Sequence, residues 1–126
     1  MKYAVLMYVH PEHTRGLTEE RLQEILGKHE RLGNELLRSG ELTGGVGLAF
    51  PDETTTLRLE GDEVVSSTGP LVETDEPPLS SYYEIDCESL ERALEIAGSY
   101  LDDHVTAVEI RRIHDTVDER MGLDSR

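Results

Sequence analysis

The 126-residue chain has little cysteine, little lysine and no long apolar run, and each scarcity excludes something. Its single cysteine, Cys87, rules out an internal disulfide, which fits a reducing compartment. The longest apolar stretch near the start, Tyr3 to Val9, is much shorter than a membrane-spanning helix and lacks the cleavage pattern of a signal peptide. We therefore expect a cytoplasmic protein that does not enter a membrane.

Positive charge is also scarce, since 27 acidic residues face 12 basic ones and the formal net charge is −15. Such a surface repels phosphate groups, so direct binding to nucleic acid or to an anionic membrane is disfavoured. Only Lys2 and Lys28 are lysines, and acid excess with scarce lysine resembles salt-adapted proteins or simply a soluble, self-repelling surface. We favour the soluble, self-repelling surface, because charge composition bears on solubility rather than on fold. The acids concentrate in 51–76 and 84–103, whereas 18–41 is nearly balanced.

The apolar pattern predicts a series of strands within one domain, 1–113, followed by a flexible or short helical tail, 114–126. The first strand is apolar on both faces, the second is rich in glycine, and the turn pair Gly61-Asp62 joins two strands into a hairpin. The predicted strands are Lys2 to Val9, Leu42 to Phe50, Thr54 to Leu59, Glu63 to Ser66, Ser81 to Cys87 and Ala107 to Ile113.

Two helices are predicted from apolar residues that recur at helical spacing. The first runs from Thr18, its cap, to Ser39 and closes at Gly40. The second covers about Glu88 to Leu101, with Asp86 as its cap. The segment between the first strand and the first helix contains Pro11 and is expected to be a loop.

The resulting order is β, α, β, hairpin, β, α, β, which predicts an α+β fold of the ferredoxin-like, split βαβ type with an extra β-hairpin. The antiparallel sheet has two helices, and these cover only one of its faces. Because the first strand is apolar on both faces, a second copy of the chain is expected to cover the other one. We thus predict a homodimer in which two sheets form a dimeric α+β barrel.

His29 is the strongest candidate for chemistry, because it lies at the centre of the apolar stripe of the first helix. Its neighbours at helical spacing are Ile25, Leu26, Leu32 and Gly33, so the imidazole is expected to point toward the sheet. Gly33 removes a side chain one turn away and leaves room for a ligand or for close helix packing. The alternative is a core histidine whose nitrogens bind backbone or hydroxyl groups.

A second candidate set is the polar face of the fifth and last strands, Tyr82, Glu84, Glu109 and Arg111. If these strands are neighbours, they present a phenol, carboxylates and a guanidinium to the interior of the predicted dimer, where a small polar molecule could bind. The alternative is a network of ion pairs in the dimer interface.

The remaining histidines give little evidence for a site. His10 and His13 are three positions apart but lie beside a proline, and no third ligand is evident, so no metal site and no cofactor are predicted. His104 and His114 are expected to be solvated.

The segment Ser66 to Thr74, followed by the strand Ser81 to Asp86 and the second helix, resembles the YCII-related family, and in particular its branch named for an Asp-Gly-Pro-Phe motif. The opening strand and the helix from His29 to Gly40 resemble it as well, so the match covers roughly 1–113. The resemblance implies a dimeric α+β barrel. It also implies an enzymatic role for a histidine, matched here by His29, and an aspartate, whereas the fusion of some members to sigma-factor domains suggests a link to transcription initiation.

The name motif departs from the family pattern, because it reads Thr68-Gly69-Pro70-Leu71, with threonine for aspartate and leucine for phenylalanine. Threonine cannot act as a carboxylate base, so either His29 works with another acid, such as Asp102 or Asp103, or this chain binds without catalysing.

Two hypotheses follow. The first is a small-molecule enzyme in which His29 transfers a proton and Thr68, Gly69, Pro70, Tyr82 and Arg111 bind an unidentified substrate. The second is a non-catalytic binding or regulatory module whose acidic surface contacts a basic protein partner.

Overall fold

The computed structural model describes residues 1–122 and contains a four-stranded antiparallel sheet. Strand β1 (Lys2–Tyr8) lies between β5 (Leu79–Asp86) and β6 (Ala107–Ile113), and β2 (Leu42–Gly47) pairs with the outer side of β5. Helix α2 (Glu19–Ser39) connects β1 to β2, and α3 (Leu90–Gly98) connects β5 to β6. These two βαβ units, with their strands in the order β2, β5, β1, β6, confirm the predicted ferredoxin-like α+β fold.

The predicted hairpin is present as a separate two-stranded sheet. Strands β3 (Thr55–Glu60) and β4 (Glu63–Thr68) join through Gly61, whose positive φ of 63° suits the tight turn. A 3-10 turn at Pro51–Glu53 precedes the hairpin. Strand β2 was expected to reach Phe50, but its pairing with β5 ends at Gly47, so that part of the prediction is wrong.

The termini of α2 match the sequence pattern. The Thr18 side chain accepts a hydrogen bond from the backbone N–H of Arg21, and Gly40 ends the helix with a φ of 79°. Helix α3, however, begins later than predicted, at Leu90, because Ser89 is its cap and accepts a hydrogen bond from Arg92. Asp86, the predicted cap, is still part of β5, where its backbone N–H bonds the carbonyl of Glu41.

Two short helices complete the fold. The segment expected to be a loop forms α1 (Pro11–Arg15), because proline is well tolerated in the first helical turn. In the predicted tail, 114–126, a single turn forms α4 (Val117–Arg120), and 123–126 lie outside the described residues. Within 1–122, every helix is too short or too polar to span a bilayer.

The core lies on the face of the sheet that α2 and α3 cover. Alternate residues of β1, Tyr3, Val5 and Met7, are almost completely buried there, together with Leu36 of α2 and Ile96 of α3. On the opposite face, which we call the open face, Ala4, Leu6 and Tyr8 stay partly exposed. The first strand therefore has apolar residues on both faces, as predicted, and the helices cover one of them.

Candidate functional site

His29 points from α2 toward the sheet, as predicted, and meets two tyrosines. Its Nδ1 lies 3.4 Å from the hydroxyl of Tyr83 on β5. The edge of its ring faces Tyr100, with 5.3 Å between the ring centroids, and Tyr83 and Tyr100 lie equally close to each other. The His29 Nε2 and the Tyr100 hydroxyl are buried without a hydrogen-bond partner in the described residues. We call these three residues the His29 cluster.

Burial sets the protonation state of the His29 cluster. Burial lowers the pKa of His29. The positive charge of Lys28 and the nearby His104 lower this pKa further, whereas the negative charge of Asp102 raises it. Burial also raises the pKa of Tyr83, and it raises that of Tyr100 to about 12. At neutral pH the cluster thus holds a neutral imidazole beside two protonated phenols, an arrangement able to accept or relay a proton.

Two glycines shape the space around the cluster. Gly45, paired with Tyr83 across the sheet, lies so close to the tyrosine ring that an added Cβ would sit 2.5 Å from its Cδ1. Gly33, one turn from His29, has no heavy atom within 4 Å of an added Cβ. The absence of a side chain at Gly45 therefore leaves room for the Tyr83 ring, and the absence of one at Gly33 leaves open space one helical turn from His29.

No carboxylate replaces the missing motif aspartate as a hydrogen-bond partner of His29 in the described part of the chain. Asp102 binds the Lys28 ammonium at 2.8 Å and accepts hydrogen bonds from the backbone of His104 and Val105. Burial by itself raises the pKa of Asp102, but Lys28 and these N–H groups outweigh it and hold the pKa at about 2. Asp103 pairs with Arg21.

The predicted residues of the second set lie on the open face, on the other side of the sheet from His29. Strands β5 and β6 are not neighbours, because β1 lies between them, so Tyr82 and Glu109 flank Leu6, and Glu84 and Arg111 flank Ala4. Arg111 is exposed and forms no salt bridge with any residue of 1–122. Glu109 instead accepts a hydrogen bond from the Tyr8 hydroxyl.

The Thr68-Gly69-Pro70 segment lies at the end of the hairpin and is bound to β3. Gly69 donates its N–H to the Thr54 carbonyl at 2.8 Å, and its own carbonyl accepts from the Thr56 hydroxyl at 2.7 Å. The φ of Gly69 is 112°, a conformation that favours glycine. The structure thus places His29 and the pair Tyr82 and Arg111 on opposite sides of the sheet, and Pro70 of this segment lines a cleft at the end of β1.

Of the two histidines expected to be solvated, His114 is exposed and His104 is partly buried, and both have side-chain partners. His13 of α1 and His104 stack with 3.1 Å between their Nδ1 atoms, and His114 binds Glu119. In the described residues, no three histidine, cysteine or acidic side chains are grouped to hold a metal ion.

Sequence reasoning missed two features. The first is the pair Tyr83 and Tyr100, which helical and strand spacing do not single out; the available signal is that a phenol directed toward a core needs a polar partner. The chain also has a cleft of about 1250 Å³ at the end of β1, between α1, the 3-10 turn and the segment after the hairpin. His29 does not line it.

The fold and the His29 cluster define a ferredoxin-like α+β protein with a half-buried imidazole between helix and sheet. Among known proteins, the uncharacterized protein R00369 of Rhizobium meliloti (strain 1021) is 31% identical to this chain over 97 residues, which are 77% of each chain. The chain belongs to the family of that protein. No family model matches it.

Among solved structures, 5-chloro-2-hydroxyhydroquinone dehydrochlorinase (TftG) from Burkholderia phenoliruptrix, in complex with 2,5-dihydroxybenzoquinone, resembles the chain with a TM-score of 0.43 and 13% identity. The match covers 90% of this chain and 94% of that one. At that score, the likeness supports no statement about this chain.

Proposed function

We propose that the chain is a YCII-related enzyme that acts on a small molecule and uses His29 for acid/base chemistry. The observation that carries the proposal is the geometry of His29. One nitrogen lies 3.4 Å from the Tyr83 hydroxyl, whereas the other, Nε2, is buried without a hydrogen-bond partner among residues 1–122. A buried polar atom without a hydrogen bond costs about 1–3 kcal/mol, so its presence at a titratable group supports a functional role.

We assign the Nδ1–H tautomer, in which Nδ1 donates to the Tyr83 oxygen. Nε2 then carries the free lone pair and accepts a proton from the substrate. The pKa of His29 is lowered by burial, so the imidazole is neutral and able to act as a base at pH 7. Tyr83 orients the ring and, as a positioning residue, keeps the lone pair on Nε2.

A substrate must displace the side chains that cover Nε2. Next to the cluster, the segment after α3 is tied to α2 by the ion pairs of Lys28 with Asp102 and of Arg21 with Asp103. We propose that this segment moves when the substrate enters, as loops that close active sites do.

The test compares the wild type with His29→Gln and with the matched control His114→Gln. Each protein is incubated with a metabolite extract, and mass spectrometry identifies compounds that the wild type consumes. We expect His29→Gln to lose about 100-fold or more of this activity, the usual contribution of a general base, and His114→Gln to keep it. Turnover by His29→Gln at the wild-type rate refutes the proposal.

A non-catalytic regulatory module is the second candidate, and it is favoured because no carboxylate of residues 1–122 forms a hydrogen bond with His29. Lys28 and Arg21 occupy Asp102 and Asp103, and the motif position holds Thr68. If the segment after α3 moves and Asp102 then assists His29, Asp102→Asn should lower turnover. If the chain is a non-catalytic module, neither the wild type nor any of the variants should consume a compound.

We also propose a homodimer built through the open face. The partly exposed Ala4 and Leu6 support it, since a second copy would bury them. Light scattering after size exclusion is expected to give twice the chain mass, and Leu6→Arg to give a monomer. The control Val64→Arg, on the exposed hairpin, stays dimeric. A monomeric wild type at micromolar concentration overturns this proposal.

A further inference from the structure

The cleft at the end of β1 combines a rigid apolar floor with an acidic rim. Its floor is built largely from aromatic rings and prolines, namely Tyr8, Phe50, Pro51, Pro77, Pro78 and Leu79. The volume, about 1250 Å³, exceeds the roughly 300–1000 Å³ typical of small-molecule pockets. Rings of this kind lose little conformational entropy when they bind, and they suit an extended chain segment.

The rim carries a strong excess of negative charge. Six carboxylates line the cleft, those of Glu12, Asp52, Glu53, Glu73, Asp75 and Glu76, against the single guanidinium of Arg15. Among 1–122, only Asp52 of these six takes part in a salt bridge, and all six are exposed. Five carboxylates that repel one another are therefore available to a cationic partner.

The contacts of Arg15 show how the cleft holds a guanidinium. Its Cζ lies 4.3 Å from the centroid of the Phe50 ring, and its Nη2 lies 3.7 Å from a carboxylate oxygen of Asp52. The aromatic face and the carboxylate together bind the planar cation by stacking and by charge. Arginines of a partner could contact the same two kinds of group, because the floor of the cleft contains rings and prolines and its rim contains carboxylates outside salt bridges.

We propose that this cleft binds a basic, arginine-containing peptide segment of a partner protein in an extended conformation. The apolar floor contacts the backbone and the side-chain stems, and the rim carboxylates pair with the guanidinium groups. Because His29 does not line the cleft, this binding is independent of the chemistry proposed for the His29 cluster.

The probe is a fluorescein-labelled octapeptide of alternating arginine and proline, with lysine–proline and glutamate–proline versions for comparison. Anisotropy at 150 mM salt measures the dissociation constant. The cleft variant Glu73→Gln/Asp75→Asn/Glu76→Gln removes three acids from the rim. The matched control, Glu60→Gln/Asp62→Asn/Glu63→Gln, removes three acids from the exposed tip of the hairpin.

We expect the cleft variant to bind the arginine peptide about tenfold more weakly, since it loses three exposed ion pairs that each contribute about twofold to the affinity. The hairpin variant should change by less than about twofold. Phe50→Leu should reduce the preference for arginine over lysine, because it removes the aromatic face.

Three outcomes overturn the proposal. The first is equal weakening in the two triple variants, which indicates attraction to the acidic surface as a whole. The second is an arginine peptide that does not bind the wild type. The third is displacement of the peptide by spermine at an equal concentration of positive charge, which indicates a small polyamine as the ligand. Loss of peptide binding with turnover retained separates this proposal from the function of His29.

Discussion

The Tyr83 hydroxyl lies 3.4 Å from Nδ1 of His29, although the two residues are 54 positions apart in the chain. The contact links the centre of α2 to the face of β5 that the helices cover. It places a neutral imidazole where burial, rather than a nearby carboxylate, sets the protonation state. Several expectations follow for this contact and for the elements that hold it.

The first concerns the titration of His29. Because burial lowers the pKa of His29 below 6.5, its contribution to stability is complete above pH 6.5 and is lost as pH falls through 6.5 toward the lower folded value. NMR of the imidazole resonances should show this lowered pKa. In Tyr83→Phe, the pKa should stay low, since burial is the main cause. A His29 pKa at or above 6.5 in the wild type contradicts the buried arrangement.

The second concerns Gly45, which lies against the Tyr83 ring. Gly45→Ala places a methyl group 2.5 Å from Cδ1 of Tyr83, so the ring must move and the folded state should lose about 1–3 kcal/mol. Gly47→Ala is the matched control, because an added Cβ there has no heavy atom within 4 Å. Urea unfolding measures both, and equal stability of the two variants would show that Tyr83 does not need this glycine.

The third concerns Gly33 in the interior of α2. An added methyl group has open space around it, and alanine favours the helix, so Gly33→Ala should raise the free energy of unfolding by about 0.5–1 kcal/mol. If substrate occupies that space, the same variant should lose turnover while gaining stability. A destabilised Gly33→Ala would show that the added methyl group meets other groups in solution.

The fourth concerns the ion pair between Glu41 and Arg92, which ties the start of β2 to α3. Nε and Nη2 of Arg92 each lie 2.8 Å from a carboxylate oxygen of Glu41. Arg92, with help from Ser39, lowers the pKa of Glu41 from 4.5 to about 2. The stability contributed by Glu41 is therefore present above pH 4.5 and lost between 4.5 and about 2.

Glu41→Gln should cost about 1 kcal/mol near neutral pH, after allowance for solvent screening of this partly exposed pair. Thermal unfolding of the wild type and the variant from pH 7 to pH 2 measures the difference, which should shrink below pH 4.5. Glu95→Gln, whose 4.0 Å contact with Arg92 is longer and more exposed, is the control. A difference that stays constant over the whole range would exclude the ion pair as its origin.

Local sequence patterns determined the elements of this protein. Helical spacing, a threonine cap and a closing glycine define α2, and the Gly61-Asp62 turn defines the hairpin, because these interactions join residues only a few positions apart. The order of strands and helices then restricts the chain to a ferredoxin-like sheet. The same helical spacing also placed His29 on the buried side of its helix.

Only the tertiary structure decided what His29 touches. Its partners Tyr83 and Tyr100 come from other elements, and nothing in the spacing of α2 encodes which phenol a strand or a second helix brings next to it. Tertiary packing also separated Tyr82 and Arg111 from His29, because alternate residues of a strand face opposite sides of the sheet. The composition fixed the net charge of the chain. The grouping of six acidic side chains around one cleft depended on the tertiary structure, because α1, the 3-10 turn and the loop after the hairpin meet there.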